Sequence, residues 1–188
     1  MSLTDLLVPT YRQMLTSLSG WLDKAQAGMP EGKAEALLSA CLAPDMFPLA
    51  TQIRFACVQA QEGVYRLKGE DFPNSIDQLL DEGRNAGQEP GSIADAQARI
   101  RETIALLDGL APGVLNGEAG RSIAHALPTG MIFDLTAEQY TRDWTLPQFY
   151  FHLMIAYAIL RAEGVDLGKA DYVAHMFTHL RPGTMPSP

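Results

Sequence analysis

The chain has 188 residues, 47% hydrophobic and 19% charged, which suits one folded domain with a sizeable core and excludes a disordered chain. Its net charge of −8 comes without any lysine or arginine cluster, so it lacks the basic patch that nucleic-acid binders set against phosphates. Its apolar runs are too short to cross a bilayer, and the N-terminal MSLTDLLVPTYRQ does not read as a signal peptide. Cys41 and Cys57, both in apolar helical contexts, read as small buried thiols rather than a disulfide, so a cytoplasmic protein free of membrane contact is expected.

A first helix is expected over residues 3–25. Ser2 and Asp5 have capping-box spacing, and Leu7, Tyr11, Met14, Leu18, Trp21 and Ala25 recur on one face. Pro9 falls inside it and should kink or delay its start. A short helix over residues 33–41 follows the break at Gly28, Pro30 and Gly32. The second long helix starts at or just after Asp45, with Pro48 in its first turn. Leu49, Ile53, Ala56, Ala60, Val64 and Leu67 face inward and Gly69 ends it. Ser75 and Gln78 suggest a short capped helix within the connector that follows.

The third long helix opens with the Ser92–Asp95 capping box, buries Ile93, Ala96, Ile100, Ile104 and Leu107, and stops near Gly109 and Pro112. Residues 113–144 break the helical pattern. Ile123, His125 and Leu127 alternate, Pro128-Thr129-Gly130 turns, and Met131, Phe133 and Leu135 alternate, which predicts a β-hairpin with His125 on the strand surface. The fourth helix is expected over residues 146–163, capped by Thr145 with Gln148, with Pro147 in its first turn and Gly164 at its end. Phe149, His152, Ala156 and Ile159 share a face, and Phe151, Ile155 and Leu160 widen it until the helix should be buried nearly all round. A short helical segment through Phe177 and a loose tail complete the chain.

Four long helices with one small hairpin between the third and fourth make an all-α four-helix bundle. Connectors of roughly twenty and thirty-five residues permit crossover topology. The expected organisation is a single domain over residues 1–175 with a loose C-terminal tail over residues 176–188.

The strings FYFHLMIAYAILRAEGVDLGKADY, preceded by QYTRDW, and MFPLATQIRFACVQAQEGVYRLKGE resemble an uncharacterised bacterial domain-of-unknown-function family within the DinB/YfiT-like helical bundles. The similarity spans most of residues 1–173. It implies the four-helix fold with long connectors, often as a homodimer, and no established activity. The wider DinB-like group includes metal-dependent transferases acting on low-molecular-weight thiols. Their three histidines lie one on the second helix and two at i and i+4 on the last long helix, the latter of these twelve residues before the glycine of L-R-x-x-G. Leu160-Arg161-Ala162-Glu163-Gly164 matches that string and places His152 at one ligand position. The partner position is Gln148, and the second helix has no histidine, so no metal cofactor is expected.

The candidate ligand-binding residues are therefore His152, Gln148, Gln52 and Tyr157, with no catalytic residue assigned. A lone histidine on an apolar stripe is more often a satisfied core residue, and Gln52, Gln59, Tyr11, Tyr65 and Asp143 could partner its ring nitrogens. The leading expectation is non-metal: small-ligand binding or an interaction role with a pocket near His152. The alternative is a thiol-transferase type enzyme holding a divalent metal such as Zn or Ni through His152 with Glu62 or Glu102. A purely structural, partner-binding bundle would have no pocket there. His175 and His179 stand at i, i+4, a chelating spacing if helical, but with no carboxylate or thiolate close by they read as a solvated pair. No nucleophile motif and no glycine-rich phosphate loop occurs.

Overall fold

The computed structural model describes residues 2–30, 32–117 and 121–184. The protein is mostly helical with one two-stranded antiparallel sheet. Helix α1 (Leu3–Gly28) is followed by a short α2 (Lys33–Ala36) that tightens into a 3₁₀ turn, Leu37–Ser39. Then come α3 (Leu49–Lys68), α4 (Asn74–Asn85) and α5 (Ile93–Asp108). Strands β1 (Ser122–Ala126) and β2 (Ile132–Thr136) pair antiparallel with His125 opposite Phe133. Helix α6 (Ala137–Gln139), a π-helical stretch (Tyr140–Thr145) and α7 (Leu146–Ala162) run on from one another. A one-turn α8 (Lys169–Tyr172) and a 3₁₀ stretch (Ala174–His179) follow.

Helix α3 is the hub, packing against α7, α4 and α5, while α1 packs against α5 and α7. The expected stripes of α1 and α3 all lie in the core, with Tyr11, Trp21, Ile53, Ala56 and Ala60 almost wholly excluded from solvent. Small alanines on α3 let a neighbouring backbone come close, which shortens the distance across which side chains must meet. Pro9 sits inside α1 without ending it.

Several boundaries differ from expectation, each for an identifiable reason. Only the Ser92–Asp95 box closes reciprocally as foreseen; at Ser2 the hydroxyl accepts from Asp5 N and Asp5 does not reciprocate. Pro48 is the cap residue of α3 rather than a member of its first turn, so the helix begins at Leu49. Helix α4 starts at Asn74 behind Pro73, and Ser75 caps nothing. Cys41 lies beyond the short helical segment and is exposed, whereas Cys57 is buried, its thiol pushed up to about 12 by desolvation. Leu180 and residues 181–184 of the expected loose tail are exposed; residues 185–188 of that tail lie outside the described residues.

The largest correction concerns the last long helix. It begins at Ala137, where Thr136 and Gln139 form the capping box, so Thr145 and Gln148 are not its cap. Thr145 has helical dihedrals and its backbone is already inside the rod. Pro147 explains the π stretch: lacking an N–H and carrying a ring, it cannot bond back to residue 143, and the helix widens upstream to relieve the clash. Nor is α7 buried all round, since Phe151 is 54% and Met154 39% exposed.

Candidate functional site around His152

His152 and Gln52 meet where α7 crosses α3. His152 Nδ1 and Gln52 Oε1 are 2.9 Å apart. Gln52 Nε2 donates to the Phe47 carbonyl at 3.1 Å, which fixes the amide so that its oxygen faces the ring. His152 therefore carries its proton on Nδ1 and donates it, leaving the Nε2 lone pair without a protein partner among the described residues. Of the partners the sequence offered, Gln52 is the one used; Asp143 pairs with Arg142 instead. Phe55 and Phe151 stand edge-on to the imidazole with centroids at 5.2 and 5.4 Å, and Phe47 meets Phe55 at 5.7 Å. Burial in this aromatic setting holds His152 down to about 4, so it is neutral at physiological pH.

The remaining candidates are spread out. Gln148 lies one turn before His152 on α7, partly exposed. Tyr157 belongs to a different group, its ring 5.2 Å from Trp21 and 6.4 Å from Tyr172. Glu62 lies ten residues along α3 from Gln52, about 15 Å of helical rise away. Glu102 is held by Arg99 at 2.8 Å on α5. His175 and His179 sit in a 3₁₀ stretch, whose three-residue turn aligns i with i+3 and turns an i, i+4 pair apart.

A second polar cluster went unforeseen. His125 is not strand surface: it is 3% exposed, with its ring 4.3 Å from Trp144 and 5.5 Å from Tyr140, and neither nitrogen has a partner among the described residues. Desolvation and then the nearby Arg66 charge lower it to about 4. Tyr11 and Thr145 share a buried hydroxyl–hydroxyl bond of 2.8 Å, and Thr145 also donates to the Gln59 carbonyl at 3.3 Å. The buried hydroxyls of Tyr140 and Thr141 and the Arg66 Nε have no partner among the described residues. The sequence signal for this group was the proline after QYTRDWT, which forces the π stretch and aims Tyr140, Thr141 and Thr145 at α3.

Residues 3–173 match the model of the family described as Domain of unknown function (DUF1993). The chain belongs to that family. A solved structure described as a DinB family member protein from Shewanella denitrificans is 30% identical, with TM-score 0.74, covering 98% of this chain and 96% of that one. The family thus falls within the DinB-like superfamily. No curated protein matches the chain.

With the family established, the metal set of its wider group can be tested on these residues. Gln52 lies against His152 from the second long helix, and the position one turn back on α7 is Gln148, so amides stand where the wider group has its other two histidines. Neutral amide oxygens are weak donors beside imidazole, carboxylate or thiolate, and a catalytic zinc generally needs three protein ligands. Among the described residues no group of three His, Cys, Asp or Glu side chains could hold a metal ion. With a single imidazole and neutral amides as the donors at these positions, the residues present do not fit a divalent metal.

Proposed function

We propose that the protein is a DinB-like four-helix bundle, α1, α3, α5 and α7 with crossover connectors, forming one domain through residue 175. Its three-histidine metal site is replaced by the Gln52–His152 pair. It works by recognition at the His152 face, without a metal and inside the cell, and that face is covered by a second copy of the chain.

The observation that carries this reading is an exposed apolar face on a stretch of α7 without charge. From Leu146 to Leu160 there is no Asp, Glu, Lys or Arg, yet Phe151 and Met154 look outward beside the 53% exposed Phe47. Solvated helix faces normally carry charge, and contiguous apolar patches mark interaction surfaces. A two-fold pairing sets the same patch against itself, and a charge-free patch brings no like charges together. Within such a patch the free Nε2 of His152 is the polar point that accepts a hydrogen bond. A small donor ligand seated on Nε2 is the alternative, favoured by the partial exposure of the ring.

Light scattering at micromolar concentration tests it. The wild type should give twice the chain mass and Phe151→Glu the single chain mass with an unchanged far-UV spectrum; a monomeric wild type would remove the dimer. Elemental mass spectrometry of tag-free protein prepared without chelator should find no stoichiometric metal. Near one ion per chain, lost in His152→Ala, would instead restore the metal-dependent transferase.

A further inference from the structure

A hollow of about 510 Å³ opens at the C-terminal end of α3, away from His152, walled by Arg66, Phe72, Arg121 and Ile123 and rimmed by Asp71 and Asp77. Its charges are opposite in sign and do not meet. Arg66, Asp71 and Asp77 form no ion pair among the described residues, while the third acid at the rim, Glu70, is taken by Lys68 at 2.6 Å. The Arg66 guanidinium lies over the Phe72 ring at 4.8 Å, which fixes its plane. Arg121 Nη2 donates to the carbonyls of Arg66 and Leu67, closing the end of α3, while its Nε is buried without an acceptor among the described residues. Gly69 lines the hollow at φ +73°, where a Cβ would collide with the Arg121 guanidinium.

Behind this wall lie the unpartnered groups. Arg66 Nε is buried without an acceptor, and the Tyr140 hydroxyl stands close to Arg66 without a formed hydrogen bond. Thr141 Oγ1 and both His125 nitrogens are equally unpartnered among the described residues. Native interiors leave few such groups, and the two that belong to the lining of the hollow, the Arg66 and Arg121 guanidiniums, are the ones a polar ligand there can reach. A guanidinium fork presents two parallel donors to a carboxylate. The aspartates at the rim repel polyanions and attract a cation.

We propose that this hollow binds a small zwitterion of amino-acid size, its carboxylate on Arg66 and its ammonium between Asp71 and Asp77. Each end then meets a charge that the fold leaves unmatched, and the ligand bridges a gap the two side-chain sets cannot close by themselves. Phosphate and nucleotides are disfavoured by the acidic rim. This site is independent of the His152 face and stands or falls without it.

The test is a titration of the full chain at fixed ionic strength with L-alanine and β-alanine, read by the Arg66 Nε–H and His125 ring signals in NMR. Only four histidines occur, so assignment by single substitution is simple. At least one zwitterion should give saturable shifts, about tenfold tighter than acetate or methylammonium, the worth of one charge-assisted contact. Arg66→Gln and, on the exposed rim, Asp77→Asn should each weaken binding by about tenfold or more. Asp77→Asn keeps the test sound even if Arg66→Gln disturbs the fold. No saturable shift with either zwitterion, equal binding of acetate or inorganic phosphate, or full binding by Asp77→Asn would overturn the proposal.

Discussion

Gly63 shows how a single position can govern the interior. It lies in the middle of α3, where alanine would ordinarily be preferred by about 1 kcal/mol because glycine has more backbone freedom to lose. Here a Cβ would stand 2.6 Å from Thr145 Oγ1 and 3.0 Å from the Tyr11 hydroxyl. Both oxygens are held in the buried bond between them, and threonine is stiff at χ1, so neither can step aside cheaply. Overpacking outweighs the propensity gain. Gly63→Ala should therefore destabilise the protein by about 1–2 kcal/mol in urea denaturation. A stabilised variant would show that the Tyr11–Thr145 contact yields without cost. The sequence alone could not reveal this, because a glycine in a helix records only that a side chain is absent. The two histidines carry a related lesson. His152 stood on a recognisable helical stripe, and the structure places it on that stripe of α7 against Gln52. His125 sat in an alternating strand whose buried side depends on where the hairpin docks, a long-range matter that alternation does not encode.

At the scale of elements, periodicity located every long helix and the hairpin, because burying one face imposes a repeat on the sequence. Boundaries were less legible. S-x-x-D at Ser92 and T-x-x-Q at Thr145 look alike in sequence, yet only the former stands at a free helix end with unpaired N–H groups to satisfy. At Thr145 the rod is already running, and a proline within it produces a π stretch instead of a start. The T-x-x-Q spacing recurs at Thr136–Gln139, where the helix does begin. That gives a sharp comparison. Thr136→Ala removes a cap and should cost about 1 kcal/mol of stability. Gln148→Ala removes no cap and should stay within about 0.5 kcal/mol. If chemical denaturation found the reverse order, the helix would begin where the sequence first suggested.

For the whole molecule, the interior imidazoles set the response to acid. Both His125 and His152 are held down to about 4, against an ordinary value of 6.5. An unfolded chain then binds more protons than the folded one between those values. Stability is fully present above pH 6.5 and falls as pH drops toward 4. Between pH 7.5 and 5 the loss should be on the order of 2 kcal/mol for His125 and smaller for the partly exposed His152. Glu62 works in the opposite direction, since burial raises its carboxyl and the folded state keeps its proton more readily as acid is added. Asp95 and Asp171, lowered by hydrogen bonds from Ser92 and Lys24, lose their contributions only below the histidine range. Between pH 7.5 and 5 the two histidines thus lower stability as acid is added, with Glu62 opposing them and the two aspartates not yet engaged. Urea midpoints measured at pH 7.5, 6 and 5 should fall steadily for the wild type, and His125→Gln, which cannot titrate, should flatten that decline by about 2 kcal/mol whatever it does to stability at pH 7.5. A wild-type midpoint that holds steady to pH 5 would mean that water reaches His125 and partners its ring. The buried cluster between α3 and the π stretch would then be solvated.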